Sequence, residues 1–392
     1  MVAKHRNESA PAAGVADVSK QGVAGGRAGV YLRYEFGPGE QDGASLGNPL
    51  FELLEAVTAG GSISHAARRL GTSYRHVWGS LRKWEGVLGE PLVIWSQGQK
   101  ARLTQFAQKL MWAELGARTR MQPHIEALRW DLARVLAEAR DPDFRLLTLR
   151  ASHDIALTLL QQHLATEAGL HLNIGFQGSV DALKALNDRQ CMVAGFHVAV
   201  LPAGDPVFAA ALKPWLKPRS HRLIACSRRV QGLMVRREHA GVRDLADVAR
   251  LGLRFVHRQA GAGTRMLVDH LLAQGRLAPE ALRGGREEHV EHTHVAVALC
   301  VAGGMADAGV GVEAAALQFG LHFVPLAQEN YFLACHAENI DHPDVAGLRA
   351  ALAGRRWREL LENLPGYRSA EDPGSVLAVE RALPWWRRAR KP

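Results

Sequence analysis

Ser152, Ser179 and Thr264 each stand where an apolar, strand-like run hands over to a helical pattern. A helix N-terminus carries unpaired backbone N–H groups and a partial positive charge, so a hydroxyl placed there can help hold an anion. Arg258 and Arg265 would add charged donors, and His153, His197, His292 and His294 further ones. Three such ends meeting in one cleft would suit an oxyanion; taken singly, each reads better as an ordinary helix cap. The string His289, His292, His294 lacks a standard ligand spacing and a cysteine partner, so no metal is expected there. Gly309, Gly311 and Ala314 imitate a dinucleotide-binding turn but follow a helical run at 295–302 in place of a strand. No nucleophile elbow, zinc-protease helix or phosphate-binding P-loop occurs, so no catalytic residue is assigned and neither enzymatic activity nor a cofactor is expected.

A second kind of chemistry is concentrated between Ser62 and Leu110, where eight Lys and Arg face two Glu, a local charge of +6. Ser73, Tyr74, Arg75 and His76 open the second helix of a helix-turn-helix pattern, the end that enters the major groove of DNA. Arg75 is the candidate base reader, because a guanidinium can donate two hydrogen bonds to guanine. Arg82 and Lys83 further along the helix, with Lys100 and Arg102 on a following two-stranded wing, suit phosphate contacts that set register. A further basic knot, Arg381, Arg387, Arg388, Arg390 and Lys391, surrounds Trp385 and Trp386.

The elements that must position these residues are legible in outline. Asn48 and Pro49 signal a helix start, Gly60 and Gly61 its end, and two helices at 62–71 and 72–88 follow, with small Ala67 where they approach. Strands at 92–95 and 102–103, joined by a polar turn at 97–100, form the wing. From Thr104 to Arg140 runs a helical pattern interrupted at Pro123, in which Ile125, Leu128, Leu132 and Val135 recur at heptad spacing, suited to pairing with a second copy. Beyond residue 145, short apolar runs alternate with helices, which implies an α/β domain of mostly parallel strands. The expected division is a mobile tail at 1–44 with a small strand at 30–36, a winged helix-turn-helix at 45–103, a linker and dimerisation helix at 104–140, an effector domain at 146–370 and a basic tail at 371–392.

Composition agrees. The chain of 392 residues is 47% hydrophobic and 22% charged, with a net charge of +9. Its mean hydropathy is −0.11, and it has no apolar run of membrane-spanning length. Cys191, Cys226, Cys300 and Cys335 stand far apart, which fits a reducing cytoplasm better than a disulfide framework. A soluble, cytoplasmic protein is expected, with no secretion signal in its tail.

The segment GSISHAARRLGTSYRHVWGSLRKWEGVLGEPLV, followed by LTQFAQKLM, resembles the winged helix-turn-helix of LysR-type and especially ModE-type regulators, with Ala107 where the family has glycine. The remainder is similar to the type II periplasmic-binding-protein-like domains related to molybdate and tungstate receptors. The pieces that carry this are SHD at Ser152, GS at Gly178, AGFHV at Ala194, QGLMV at Gln231, RQAGAGTR at Arg258, HTHVAVA at His292 and ADAGVGVEAAA at Ala306. Ala262 stands where the family's G-S-G-T-R has serine. The resemblance implies a one-component transcriptional regulator that binds double-stranded promoter DNA as a dimer or tetramer. Its effector would be a small anion: molybdate or tungstate, a molybdenum-cofactor-like species, or a carboxylate such as formate. The ligand residues it implies are Ser152, His153, Gly178, Ser179, His197, Arg258, Thr264, Arg265, Thr293 and His294. The alternative is an anion-binding protein or enzyme whose winged domain serves protein contacts.

Overall fold

The computed structural model describes residues 48–95, 100–140, 145–201, 206–282 and 290–386. The expectations for the tail at 1–44, the wing turn at 97–99, His289 and the basic residues 387–391 lie outside the described residues. The chain divides near Ala107 into two units.

In the first unit, Asn48 accepts a hydrogen bond from Leu50 N and caps α1 (Pro49–Gly60), which buries Leu50, Leu53, Leu54, Ala56 and Val57 along one face. Gly61, in the left-handed region at φ 60°, ends it. Ser62 caps α2 (Ile63–Arg69) and Ser73 caps α3 (Tyr74–Leu88); each accepts from the backbone N–H three residues on. Thr72 therefore belongs to the turn and not to the second helix. Ala66 and Ala67 of α2 and Val77 and Leu81 of α3 complete a small core with α1. β1 (Val93–Ile94) and β2 (Arg102–Leu103) pair antiparallel as the stem of the wing.

α4 (Gln105–Arg140) follows as one helix of 36 residues. The interruption expected at Pro123 is absent: a proline removes one backbone hydrogen bond, a local loss that a helix of about ten turns survives.

The second unit contains an eight-strand path with the order β4, β3, β5, β10, β6, β9, β7, β8. Its first part alternates β3 (Arg145–Ala151), α5 (Ile155–Ala168), β4 (Leu170–Phe176), α6 (Ser179–Asn187) and β5 (Val193–Ala199). After α7 (Pro206–Leu212) come β6 (His221–Val235), α8 (Leu245–Arg250), β7 (Phe255–Arg258) and α9 (Gly263–Gln274). β8 (Val290–Glu291), α10 (His294–Ala302), β9 (Ala308–Val312), α11 (Glu313–Gln318) and β10 (His322–His336) continue it. α12 (Pro343–Ala353), α13 (Arg355–Glu362), β11 (Tyr367–Ser369), β12 (Val376–Ala378) and α14 (Val379–Ala382) close it.

The sheet is mixed, which corrects the expectation of mostly parallel strands. β3 pairs in parallel with β4 and β5, and β7 with β8 and β9, but β6 and β10 run antiparallel to each other and to the flanking β5 and β9. β6 and β10 have 15 residues each and pass through both halves of the fold. The N-terminal half of β6 and the C-terminal half of β10 serve the lobe of β3, β4 and β5. Their other halves serve the lobe of β7, β8 and β9. The basic tail expected at 371–392 is also corrected, because β12 pairs with β6, and Val379 and Leu383 are buried in the core of the first lobe. Gly309 and Gly311 lie inside β9 and not in a turn; a Cβ there would strike Val297, Val256 and Met234.

Candidate functional site

The two lobes exchange strands where Arg229 of β6 stands in register with Glu329 of β10. β5 ends at Ala199 opposite Glu329, and β9 ends at Val312 opposite Gln231, so both flanking strands stop at this crossing. The crossing is filled with polar side chains. Arg229 Nε donates to Glu329 Oε2 at 2.8 Å, and Arg229 Nη1 donates to Asp154 Oδ2. Gln231 Nε2 donates to Glu329 Oε2 at 3.0 Å and to Thr264 Oγ1 at 2.9 Å. Asp154 Oδ2 also meets His197 Nε2 at 3.0 Å and accepts from Tyr367 Oη at 3.3 Å, while its Oδ1 caps α5 by accepting from Ala156 N. His197 Nδ1 lies 2.9 Å from Ser152 Oγ.

Charge decides the protons in this row. Burial works against the Asp154 carboxylate, but Arg229 and His197 outweigh it and hold it well below the usual carboxylate range. It is therefore ionised and can only accept, so His197 Nε2 carries the ring proton, Nδ1 accepts, and the Ser152 hydroxyl donates to Nδ1. Hydroxyl, imidazole and carboxylate stand in the order of a nucleophilic row. Ser152 is only 5% exposed, however, and Arg229 shares the carboxylate oxygen, which draws charge away from the imidazole. Burial, then Arg229, lowers the His197 pKa. Burial and Arg258 take His153 down to about 4 and His294 well below its usual value, so all three rings are neutral at neutral pH.

Several buried atoms in this region have no partner among the described residues: Ser179 Oγ, Gln231 Oε1, Glu329 Oε1, Arg258 Nε and Nη1, and one nitrogen each of His153 and His294. A Cβ added to Gly263 would stand 3.3 Å from His197 Cβ, 3.8 Å from Ser179 Oγ and 4.0 Å from Glu329 Oε1. A Cβ on Gly178 would press on the Gly261 carbonyl at 3.0 Å, so the turn leading into α6 faces the turn leading into α9. Ser179 is the first residue of α6, Thr264 the second of α9, and Thr293 the cap of α10, accepting from Ala296 N. Neither Ser179 nor Thr264 caps its own helix. Arg258 Nη2 donates to the His292 carbonyl at 2.8 Å.

Most sequence-derived ligand residues thus lie together: Ser152, His153, Gly178, Ser179, His197, Arg258, Thr264 and His294. Thr293 Oγ1 accepts the cap hydrogen bond of α10. Arg265 is held by Asp269 one turn along α9 and lines a hollow of about 570 Å³ that it shares with Arg258, Gly261 and Met266. Sequence reasoning missed Arg229, Gln231 and Glu329, and passed over Asp154 and Tyr367. Asp154 and Gln231 open or close quoted motifs, while Arg229 and Glu329 carry no local signal. Among the described residues no cluster of His, Cys, Asp or Glu is placed to hold a metal, and no helix is long and apolar enough to cross a membrane.

In the first unit, Ser73, Tyr74, Arg75, His76, Arg82, Lys83, Lys100 and Arg102 are all exposed. Two of them are partly committed: Ser73 Oγ caps α3, and Arg82 donates to Glu85 at 3.0 Å with its guanidinium 4.5 Å from the Trp78 ring centre.

Residues 49–108 match the family model described as bacterial regulatory helix-turn-helix protein, lysR family, and residues 161–353 match that of the PBP superfamily domain. The chain joins a LysR-family helix-turn-helix domain to a PBP-superfamily domain. The LysR domain holds the exposed cations, and the PBP domain holds the polar crossing. A similar protein is the uncharacterized protein YvgK of Bacillus subtilis, 25% identical over 228 residues, which are 58% of this chain and 72% of that one. The molybdenum-pterin-binding protein MopB of Rhodobacter capsulatus is 34% identical over 105 residues, 25% of this chain and 39% of its own. Among solved structures, a hydrogen-peroxide-bound cysteine-to-serine mutant of Corynebacterium glutamicum OxyR matches at 16% identity with a TM-score of 0.41, covering 79% of this chain and 92% of that one.

Proposed function

We propose that this regulator binds operator DNA through its LysR domain and that a small anion held at the lobe crossing of its PBP domain alters that binding. The observation that carries the reading is the set of buried, unspent donors at the crossing, Ser179 Oγ and Arg258 Nε and Nη1, beside the first turns of α6 and α9. Helix N-termini favour negative charge, and buried donors left without partners cost free energy until a ligand supplies acceptors. Candidate anions include molybdate, tungstate, formate and, in keeping with MopB's name, a molybdenum-pterin species. On the DNA side, Arg75 reads a base, and Arg82, Lys83, Lys100 and Arg102 hold phosphates. The protein acts as a dimer joined along α4, where Leu128 and Val135 are exposed one heptad apart.

A ligand can shift DNA affinity only by as much as it prefers one lobe arrangement over the other. Fluorescence anisotropy of labelled promoter DNA, titrated with full-length protein with and without each anion, tests this. One anion should change the dissociation constant by about 5-fold or more. If no anion changes it, and none raises the melting temperature, the effector role of the crossing is wrong.

A further inference from the structure

If the crossing is the effector site, its polar atoms narrow the ligand further, because they are not all donors. Those free to donate include the hydroxyls of Ser179 and Thr264 and Arg258 Nε and Nη1. Those free to accept are Glu329 Oε1, Gln231 Oε1 and the lone pairs of Ser152 Oγ, whose proton is directed to His197. The Gln231 amide cannot be turned round: its Nε2 faces the Glu329 carboxylate at 3.0 Å, so its oxygen points away. Glu329 remains ionised, because Arg229 and the hydrogen bond from Gln231 outweigh the cost of its burial.

A bare oxyanion such as sulfate or molybdate brings acceptors only. It would satisfy Ser179, Thr264 and Arg258 but leave Glu329 Oε1, Gln231 Oε1 and Ser152 unmatched, with like charge close to a buried carboxylate. A ligand O–H removes that conflict, since its hydrogen goes to an acceptor while its oxygen takes a donor. The two kinds of group come together beside Gly263. Ser179 Oγ, an unspent donor, and Glu329 Oε1, an unspent acceptor, both lie within 4.0 Å of the point where Gly263 lacks a Cβ, and both residues are fully buried. We propose that the crossing takes an anion that keeps an O–H group, a hydrogen phosphate or a hydroxycarboxylate, with that hydroxyl beside Gly263 donating to Glu329 and accepting from Ser179.

Isothermal titration of the full-length protein near neutral pH with phosphate, glycolate, sulfate, molybdate and formate decides the question. Phosphate or glycolate should bind at least about ten-fold more tightly than every anion lacking an O–H, because a site built around a hydroxyl rejects the analogue without one. Which of the two binds identifies the source of the hydroxyl. In Glu329→Gln the amide can donate to a bare oxyanion, so the preference for phosphate or glycolate over sulfate should fall by about ten-fold or more. Gly263→Ala puts a Cβ at that point with no contact under 3.3 Å, so it should fold and lose the binding heat. That variant and the wild-type comparison decide the matter even if circular dichroism shows Glu329→Gln to be unfolded. Sulfate, molybdate or formate binding as tightly as phosphate and glycolate would overturn the hydroxyl requirement and leave the anion reading standing. Silence from every anion would overturn both.

Discussion

Asp154 caps α5, fixes the His197 tautomer and neutralises Arg229, all from a fully buried position. Removing one partner of a buried ion pair leaves an uncompensated charge, which typically costs about 3–5 kcal/mol. Asp154→Ala should lose stability of that order in urea denaturation, with Glu329 left to hold Arg229 alone. His153 gives a separate, pH-linked effect. Its pKa is about 4 in the folded protein against the ordinary 6.5, so as pH falls the unfolded chain takes up a proton first. The stability this contributes is whole above pH 6.5 and is lost as pH falls toward 4, on the order of 3 kcal/mol in all. His221, lowered to about 4 by burial and by His336, acts in the same window. Urea midpoints of wild type and His153→Gln across this range check it: the variant's slope should be shallower, and an unchanged slope would remove His153 from the account.

At the scale of elements, α4 exposes apolar side chains at heptad spacing. Leu128 is 49% exposed and Val135 54%, while Ile125 and Leu132, on the same heptad stripe, are half-buried. Apolar residues at heptad spacing gain by packing against a second helix. A Leu128→Glu, Val135→Glu double variant should sediment as a monomer at micromolar concentration where wild type sediments as a dimer. Wild type that is itself a monomer would refute the α4 pairing. Arg120 of the same helix donates to Glu291 at 3.0 Å, and Glu291 pairs in register with Arg258, so the helix is tied to the edge of the crossing.

For the whole molecule, the proposed DNA contacts of the exposed cations in the LysR domain predict a response to salt. Each cation that displaces a counterion from phosphate adds about −0.9 to the slope of log affinity against log salt. Arg102→Ala should make that slope shallower by about one without changing which sequence is preferred. Arg75→Ala should cost about 1–3 kcal/mol and relax preference at one base pair. Equal losses on specific and random DNA for Arg75→Ala would reassign it to the backbone. Mobility-shift titrations over a salt series read both.

The helix-turn-helix was legible in the sequence because its determinants are local: Asn48, Ser62 and Ser73 as caps, Gly61 and Gly89 as left-handed ends, and apolar residues at helical spacing. The positions of Ser152, Ser179 and Thr264 at strand-to-helix junctions were legible for the same reason. Their partners were not. Arg229 and Glu329 lie 100 residues apart and meet only because two long antiparallel strands pair in one register. The last strand, β12, adds to β6 across some 150 residues of intervening chain, which no local periodicity records. Whether the Ser152 hydroxyl donates or accepts was likewise decided by the tertiary structure. The sequence by itself nominated the candidates for anion and DNA contacts and the helix ends that carry them. Only the crossing of β6 and β10 decided which of those groups remain unspent, because pairing a buried charge or hydroxyl depends on what the fold brings within hydrogen-bond reach.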